Sequence, residues 1–271
     1  MKAENLSEWI KKLEISGTNT FSVEMIRDKF PDIPEQILKN YLYRFTLKKR
    51  IVSVYKGFYV IIPPHYAAKG IIPPTYYIDQ LMQYIGKPYY ISLLSAAEFF
   101  GAAHQRSQRF FVTTILPSTN VSKAKNKLLS WLFRKEIPEE FLLVKNSETG
   151  TIRFSNAELT AIDLVQYENA VGGLSRVATV LDELCEQCDF SKVNNELLDF
   201  ASVSAVQRLG YILENILEQK EQADILYEKL IVYGKRLNYI ALSTRSKKET
   251  TLRDSRWKIN INSNIETDDI W

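Results

Sequence analysis

A pair of adjacent prolines, Pro63-Pro64, ends a series of candidate helices and strands in the first quarter of the chain. Before this pair, three short amphipathic stretches are followed by two β-rich runs, residues 51–55 and 58–62, which only Lys56-Gly57 separates. Runs of β-branched and aromatic residues around a two-residue turn predict a β-hairpin. Because proline lacks the amide that a sheet needs, the hairpin ends there. The chain therefore begins with three helices and a hairpin.

The three helices have local start and stop signals. The first is predicted to begin at Ser7 and to end at Ser16-Gly17, and the second to span residues 23–30 with Ser22 as its N-cap. A turn follows, because each proline disfavours helix in the residue before it. The third helix is predicted from Glu35 to about Lys48. Three helices and a hairpin are the order of a winged helix-turn-helix, whose last helix enters the major groove of DNA.

The third helix has two predicted faces. Its inward face is apolar and consists of Ile37, Leu38, Tyr41, Leu42 and Phe45. Its outward face has side chains that hydrogen-bond base edges and phosphates, namely Gln36, Lys39, Asn40, Tyr43 and Arg44. Cations placed to contact flanking phosphates are Lys48, Lys49 and Arg50 at the helix end and Lys56 at the hairpin tip. A winged helix used only for protein contacts is the alternative, which the absence of acids between Glu35 and Asp79 disfavours.

Charge is concentrated in the middle of the chain. Residues 36–135 contain 15 basic and two acidic side chains, a net charge of +13, whereas the whole chain carries +3. Such a segment indicates a polyanionic partner. Its second half contains a second basic surface, predicted from Arg106, Arg109, Lys123, Lys125, Lys127, Arg134 and Lys135. This surface extends the DNA footprint, binds another partner or serves only as solubilising surface.

Residues 1–64 are thus predicted to be a winged helix-turn-helix domain, 65–75 a linker between two proline pairs, and 76–271 a larger domain. In that domain strands are predicted over 109–114, 142–144, 151–154, 239–242 and 257–261. Helices are predicted over 76–85, 92–101, 174–188, 192–200, 203–217 and 219–232. A further helix is predicted to begin at a capping box that starts at Ser155. Helices and strands do not alternate regularly, so the predicted class is α+β with a helical layer.

Cysteine usage and hydropathy favour a soluble cytoplasmic protein. Only two cysteines are present, Cys185 and Cys188, so a disulfide framework is excluded. Their spacing occurs in redox and metal sites, but no second pair accompanies it, which favours two half-buried structural thiols. The chain begins with an amphipathic pattern instead of a signal segment, and the longest apolar stretch is too short to span a bilayer.

No catalytic residue, metal ligand or cofactor is predicted. His104 lacks a marked nucleophile as partner, which favours a cap or a binding-surface role. Glu158 and Asp163 are five positions apart and do not share one helix face, and Asp182 and Glu183 are predicted to be solvated. Gly172-Gly173 is either an anion site before a helix or a plain turn. The chain contains no P-loop, zinc-protease motif or nucleophile elbow.

The sequence resembles AbiEi-type antitoxins, the regulators of type IV (AbiE) toxin–antitoxin systems that act in abortive infection. The similarity extends over nearly the whole chain. The segments that carry it are residues 56–64, 89–97, 101–105, 160–165, 172–181, 207–214 and 256–260.

The resemblance implies a winged-helix repressor of its own operon that binds inverted repeats in double-stranded DNA. It also implies a larger domain that neutralises a co-encoded nucleotidyltransferase-like toxin, with direct contact between the two left open. We expect a monomer that pairs on DNA, because no dimerisation helix is visible. The alternatives are a stand-alone transcription factor whose larger domain senses a ligand, and an enzyme that processes nucleic acid.

Overall fold

The computed structural model describes residues 5–67, 72–102, 107–117, 128–246 and 251–266. These residues form helices and three β-sheets, so the predicted α+β class is confirmed. The chain divides into two compact units, each assembled from several segments. Unit 1 comprises residues 1–90, 112–137 and 144–153, and unit 2 comprises residues 91–111, 138–143 and 154–271. The domain boundaries at residues 64 and 75 stay a prediction.

Three helices open unit 1, and their caps explain where they begin. The first, α1 (Leu6–Ile15), follows Asn5, whose side chain accepts a hydrogen bond from the Glu8 amide at 3.0 Å while Glu8 accepts one from the Asn5 amide. This capping box starts the helix one residue before the predicted position. The second, α2 (Val23–Lys29), is capped by Ser22 as predicted. The third, α3 (Glu35–Leu47), begins directly after a proline as predicted.

A three-stranded antiparallel sheet completes this part of unit 1. Its strands are β1 (Thr20–Ser22), β2 (Ile51–Tyr55) and β3 (Phe58–Ile61), in the order β1-β3-β2. The hairpin of β2 and β3 is confirmed. Strand β1 was not predicted, because three residues show no periodicity and the strand exists only through its pairing with β3, where Thr20 lies opposite Val60.

The helices and the sheet share one apolar core. Its buried members are Leu6, Trp9, Ile10, Phe21, Ile26, Leu38, Leu42, Phe45, Ile51 and Ile61. The prediction that Ile37 and Tyr41 face inward is wrong, because their exposed fractions are 46% and 42%. The buried stripe of α3 takes only Leu38, Leu42 and Phe45, a narrower face than the apolar residues of the sequence suggested.

Two further helices of unit 1 follow the hairpin. They are α4 (Pro64–Ala67) and α5 (Ile78–Ile85). The helix predicted from Tyr76 starts later, because residues Pro74–Tyr76 form a separate 3-10 turn. Gly86 ends α5 with φ at 74°, a left-handed conformation that glycine adopts without strain.

A five-stranded sheet is formed by β4 (Tyr89–Ile91), β5 (Phe110–Ile115), β6 (Leu129–Arg134), β7 (Leu142–Ser147) and β8 (Gly150–Ser155). Their order is β6-β5-β4-β8-β7, and β4 pairs with β8 in parallel. The predicted strand β5 and the predicted neighbours β7 and β8 are confirmed. Strands β4 and β6 were not predicted, since β4 has only three residues and β6 lies in the segment interpreted as a basic surface.

Unit 2 is mainly helical. Its helices are α6 (Leu93–Ala97), α7 (Ala157–Gln166), α8 (Glu168–Val171), α9 (Leu174–Leu184), α10 (Asn195–Phe200), α11 (Val203–Asn215) and α12 (Lys220–Val232). In α7 every residue from Ala157 to Val165 is buried, so this helix lies in the core of the unit. Within the described ranges, no helix has the length and apolar character that crossing a bilayer requires.

Several helix ends in unit 2 differ from the prediction. Asn156 caps α7, with its side chain accepting from the Leu159 amide at 2.9 Å, while the Ser155 hydroxyl instead bonds the Thr160 hydroxyl at 2.6 Å. The predicted capping box at Ser155 is therefore wrong. The helix predicted over 174–188 ends at Leu184 and is followed by a 3-10 turn. The helix predicted from residue 192 begins only after the Asn194 cap.

A small sheet near the end of the chain holds Trp257 in the core of unit 2. Its strands are β9 (Ile240–Ala241), β10 (Arg253–Asp254) and β11 (Ile259–Asn260), with β9 and β11 confirming the two late strands predicted. The indole nitrogen of Trp257 donates to Glu214 of α11 at 2.6 Å, and the Gln207 amide donates to the Trp257 carbonyl at 2.7 Å. Gly210 of α11 lies against the indole ring.

Candidate nucleic-acid interface

The outer face of α3 presents the side chains predicted to read DNA. Gln36, Lys39, Asn40, Tyr43 and Arg44 are all exposed, on the side of the helix opposite its buried stripe. Helix α3 spans 13 residues and is about 20 Å long, and the diameter of an α-helix with its side chains, about 10–12 Å, fits a major groove about 12 Å wide. Ile37 and Tyr41 are exposed between this face and the buried stripe, where Tyr41 stacks on Phe45, and such apolar atoms suit contact with thymine methyl groups.

Two contacts within the face are weak enough to be exchanged for DNA. Lys39 forms an ion pair with Glu35 at 2.7 Å, but both side chains are more than 60% exposed. The Gln36 amide reaches Asn40 at 3.4 Å, a long hydrogen bond. Exposed ion pairs are strongly screened by water, so a phosphate can replace Glu35 as the partner of Lys39. A base edge can likewise replace either carboxamide as the partner of the other.

The cations at the end of α3 differ in their surroundings. Lys48 and Lys49 are exposed. Arg50 is half-buried, donates from Nη1 to the Ser7 hydroxyl at 3.2 Å and lies over the Phe45 ring at 5.4 Å. Arg50 therefore supports the packing of α3 on α1, and the two lysines are freer to reach phosphates.

The hairpin tip is anchored inside unit 1. The Gly57 carbonyl accepts a hydrogen bond from the Val23 amide at 2.8 Å, which ties the tip to the start of α2. The Tyr84 hydroxyl of α5 lies 3.2 Å from a Glu24 oxygen, and its ring packs on Phe58 at 5.2 Å. Burial raises the pKa of Tyr84, and the Glu24 carboxylate raises it further, so the hydroxyl stays protonated at neutral pH and donates.

Lys56 stays exposed at this anchored tip. Contacts with α2 and α5 thus hold the tip, and one exposed cation projects from it.

The second basic surface is only partly within the described residues. Arg106, Lys123, Lys125 and Lys127 lie outside them. Arg109 and Lys135 are exposed, but Arg134 is 8% exposed, so its assignment to an outer surface is wrong. The reason is strand β6, which turns Leu132 and Arg134 to its buried side.

The remaining candidates for chemistry have structural roles. Cys185 and Cys188 are both buried, more fully than predicted, and burial raises the pKa of Cys185 to about 12 and that of Cys188 further. Both thiols are therefore protonated at neutral pH and poor nucleophiles. No group of three or more His, Cys, Asp or Glu side chains that could hold a metal ion occurs in the part of the chain that the structure describes.

The buried carboxylates were not anticipated by the sequence. Glu158 accepts from the Asp189 amide at 2.8 Å, and Glu168 accepts from the Thr244 amide and hydroxyl at 2.8 and 2.6 Å. Each ties a helix to a distant loop. The carboxylate oxygens of Glu183, predicted to be solvated, are buried as well. Asp163 is fully buried, and His104 lies outside the described residues.

Gly172 and Gly173 form the turn between α8 and α9, both with positive φ, of 110° and 106°. Side chains rarely adopt this conformation, which explains the glycine pair. The turn thus explains why both residues are glycine, and the alternative of an anion site before α9 stays a prediction.

Two comparisons relate this chain to known proteins. Residues 90–215 match the family described as the AbiEi antitoxin C-terminal domain. The crystal structure of the RV2827C protein from Mycobacterium tuberculosis is similar, with a TM-score of 0.66 and 15% identity over 93% of this chain and 89% of that one. At this identity the likeness shows a shared fold. No curated protein matches the sequence.

Proposed function

We propose that this chain is a DNA-binding antitoxin. Residues 90–215 match the AbiEi antitoxin C-terminal domain family, and this match supports the resemblance to AbiEi-type antitoxins. In this proposal it represses its own operon and neutralises a co-encoded nucleotidyltransferase-like toxin. It does so in the cytoplasm and without enzymatic activity of its own. An antitoxin role follows from the family, and the DNA-binding half of the proposal rests on the residues of unit 1.

The arrangement of α1 to α3 and the hairpin supports a winged helix-turn-helix. Helices α2 and α3 are joined by the short turn at residues 30–34, the hairpin follows α3 directly, and β1 completes the sheet. In such a domain the second of the two helices reads the major groove. The single observation that carries the proposal is the outer face of α3, where five hydrogen-bonding side chains and the two lysines at its end are all exposed.

A gel-shift titration tests this proposal. The full chain is titrated onto the DNA upstream of its own gene and onto unrelated DNA, at two salt concentrations. If about six phosphates are neutralised, log K falls with log salt at a slope of about −5. The double variant Arg44→Ala, Lys48→Ala should lose at least tenfold in operator affinity, because it removes one base-reading and one phosphate-binding cation.

A matched control separates the interface from overall charge. Lys220 and Arg236 are exposed in unit 2, so the control Lys220→Ala, Arg236→Ala removes the same charge from unit 2 instead of from α3. We expect this control to bind the operator nearly as the unaltered chain does. Equal and weak binding to all DNA, or equal losses in both double variants, would refute the α3 interface.

On DNA, we propose that two copies occupy the halves of an inverted repeat, and that the free protein is a monomer. Sedimentation of the free chain and of its operator complex measures both states. A stable dimer without DNA would contradict this part of the proposal.

A further inference from the structure

Unit 2 contains a cleft of about 400 Å³ whose charged lining residues are two arginines. Arg109 reaches it from the segment before β5, and Arg176 reaches it from the first turn of α9. Among the described residues that line the cleft there is no acidic side chain. The two arginines thus approach one space from separate parts of the chain.

The two guanidinium groups are available to a ligand. Both residues are exposed, and within the described ranges neither guanidinium has an ion-pair, hydrogen-bond or ring partner. Arginines that stabilise a fold are engaged by carboxylates or carbonyls, as Arg256 is by Glu214 and Arg208 is by the Ala241 carbonyl. Two arginines that line one cleft, with no acidic side chain among its described lining residues, leave a positive potential that an anion can neutralise.

The other lining residues of the cleft indicate a ligand that has an apolar or aromatic part as well as an anionic group. Leu94 and Phe111 are buried side chains that provide an apolar floor, and Gln108 and Asn169 add carboxamides at the rim. Small-molecule sites combine such an apolar surface with a few polar groups, in volumes of about 300–1,000 Å³. Carboxamides hydrogen-bond the edges of nucleobases, and guanidinium groups bind phosphate in a bidentate manner.

We propose that this cleft binds a nucleotide, with Arg109 and Arg176 on its phosphate and the carboxamides and apolar floor against its base. The phosphate comes either from a free mononucleotide or from a nucleotide within a nucleic-acid strand. The proposal does not rest on operator binding by α3, because every lining residue belongs to unit 2.

Isothermal titration calorimetry of the full chain tests the cleft. ATP, GTP, CTP and UTP are titrated separately, followed by a single-stranded oligonucleotide of mixed sequence and by inorganic tripolyphosphate. We expect at least one nucleotide probe to bind saturably in the millimolar range or tighter. Arg109→Ala and Arg176→Ala should each raise its Kd about tenfold, the loss typical of a charge-assisted hydrogen bond.

The matched control is Arg236→Ala, which removes an exposed arginine of unit 2 that does not line the cleft. It should leave the Kd within about twofold. Since Arg109 and Arg176 are exposed, their alanine variants should fold, and circular dichroism melting curves that overlay the control verify this.

The outcomes separate the sources of the phosphate. If a mononucleotide binds and its binding depends on the two arginines, the ligand of the cleft is a free nucleotide. If only the oligonucleotide binds in this way, the ligand is a nucleotide within a nucleic-acid strand. Absence of saturable binding by every nucleotide probe, tripolyphosphate binding as tight as that of any nucleotide, or equal Kd changes in Arg176→Ala and Arg236→Ala would overturn the proposal.

Discussion

At the scale of the residue, Gly210 allows α11 to pack closely against the Trp257 ring, because glycine has no side chain. A Cβ atom on Gly210 would lie 2.1 Å from two carbon atoms of the Trp257 ring, far inside van der Waals contact. The ring cannot move away easily, because its nitrogen donates to Glu214 and its face is flanked by Tyr227 at 5.3 Å. Glycine in α11 is therefore required by packing, although glycine is a poor helix former.

The variant Gly210→Ala tests this contact. Helix propensity alone would stabilise the protein by about 1 kcal/mol, but overpacking of a buried site costs about 1–3 kcal/mol and here exceeds the gain. We expect a net loss of about 1–2 kcal/mol in the free energy of unfolding, measured by urea denaturation. In a double-mutant cycle, Trp257→Leu should relieve part of the penalty. A more stable Gly210→Ala would show that the indole has room to shift.

At the scale of the element, the hairpin and α5 are joined by Tyr84. Its hydroxyl lies between Glu24 and the Lys56 carbonyl, at 3.2 and 3.4 Å, and a Cβ on Gly57 would meet this oxygen at 2.9 Å. The positive φ of 77° at Gly57 favours glycine there, and the close approach of the Tyr84 hydroxyl leaves little room for a side chain.

Removing the hydroxyl should loosen the tip without displacing it. We expect Tyr84→Phe to retain the ring contact with Phe58 and to lower stability by about 1 kcal/mol, the usual contribution of one hydrogen bond. Hydrogen exchange at the Val23 amide, which bonds the Gly57 carbonyl, should accelerate. Tyr66→Phe, which removes the hydroxyl that faces Glu148, is the matched control and should leave that amide protected. Unchanged exchange in Tyr84→Phe would mean that the tip is held by packing alone.

At the scale of the whole molecule, the proposal assigns repression to unit 1 residues and antitoxicity to the family domain at residues 90–215. The two roles should then separate genetically. In cells that express the adjacent nucleotidyltransferase-like gene, we expect the Arg44→Ala, Lys48→Ala variant to restore growth as well as the unaltered chain does, while a reporter behind the operator becomes derepressed. Growth curves and reporter output measure the two effects. Failure of the unaltered chain to restore growth would favour a stand-alone transcription factor.

The sequence by itself determined the elements whose causes are local. Helix α2 follows from the Ser22 cap, α3 from Pro34 and its polar and apolar faces, and the β2–β3 hairpin from β-rich runs around Lys56-Gly57. Caps, turns and hydrophobic periodicity act over a few residues, so a reader of the sequence can recognise them. The exposed outer face of α3 was predictable for the same reason.

Only the tertiary structure decided the features that depend on distant partners. Strand β1 exists through β3, and Arg134 is buried because β6 joins a sheet that its basic surroundings did not indicate. Gly210 packs against Trp257, and Arg109 and Arg176 line one cleft, although the residues of each pair are far apart in the chain. Burial and convergence of this kind are set by which surfaces pack together, and no local pattern of residues encodes that choice.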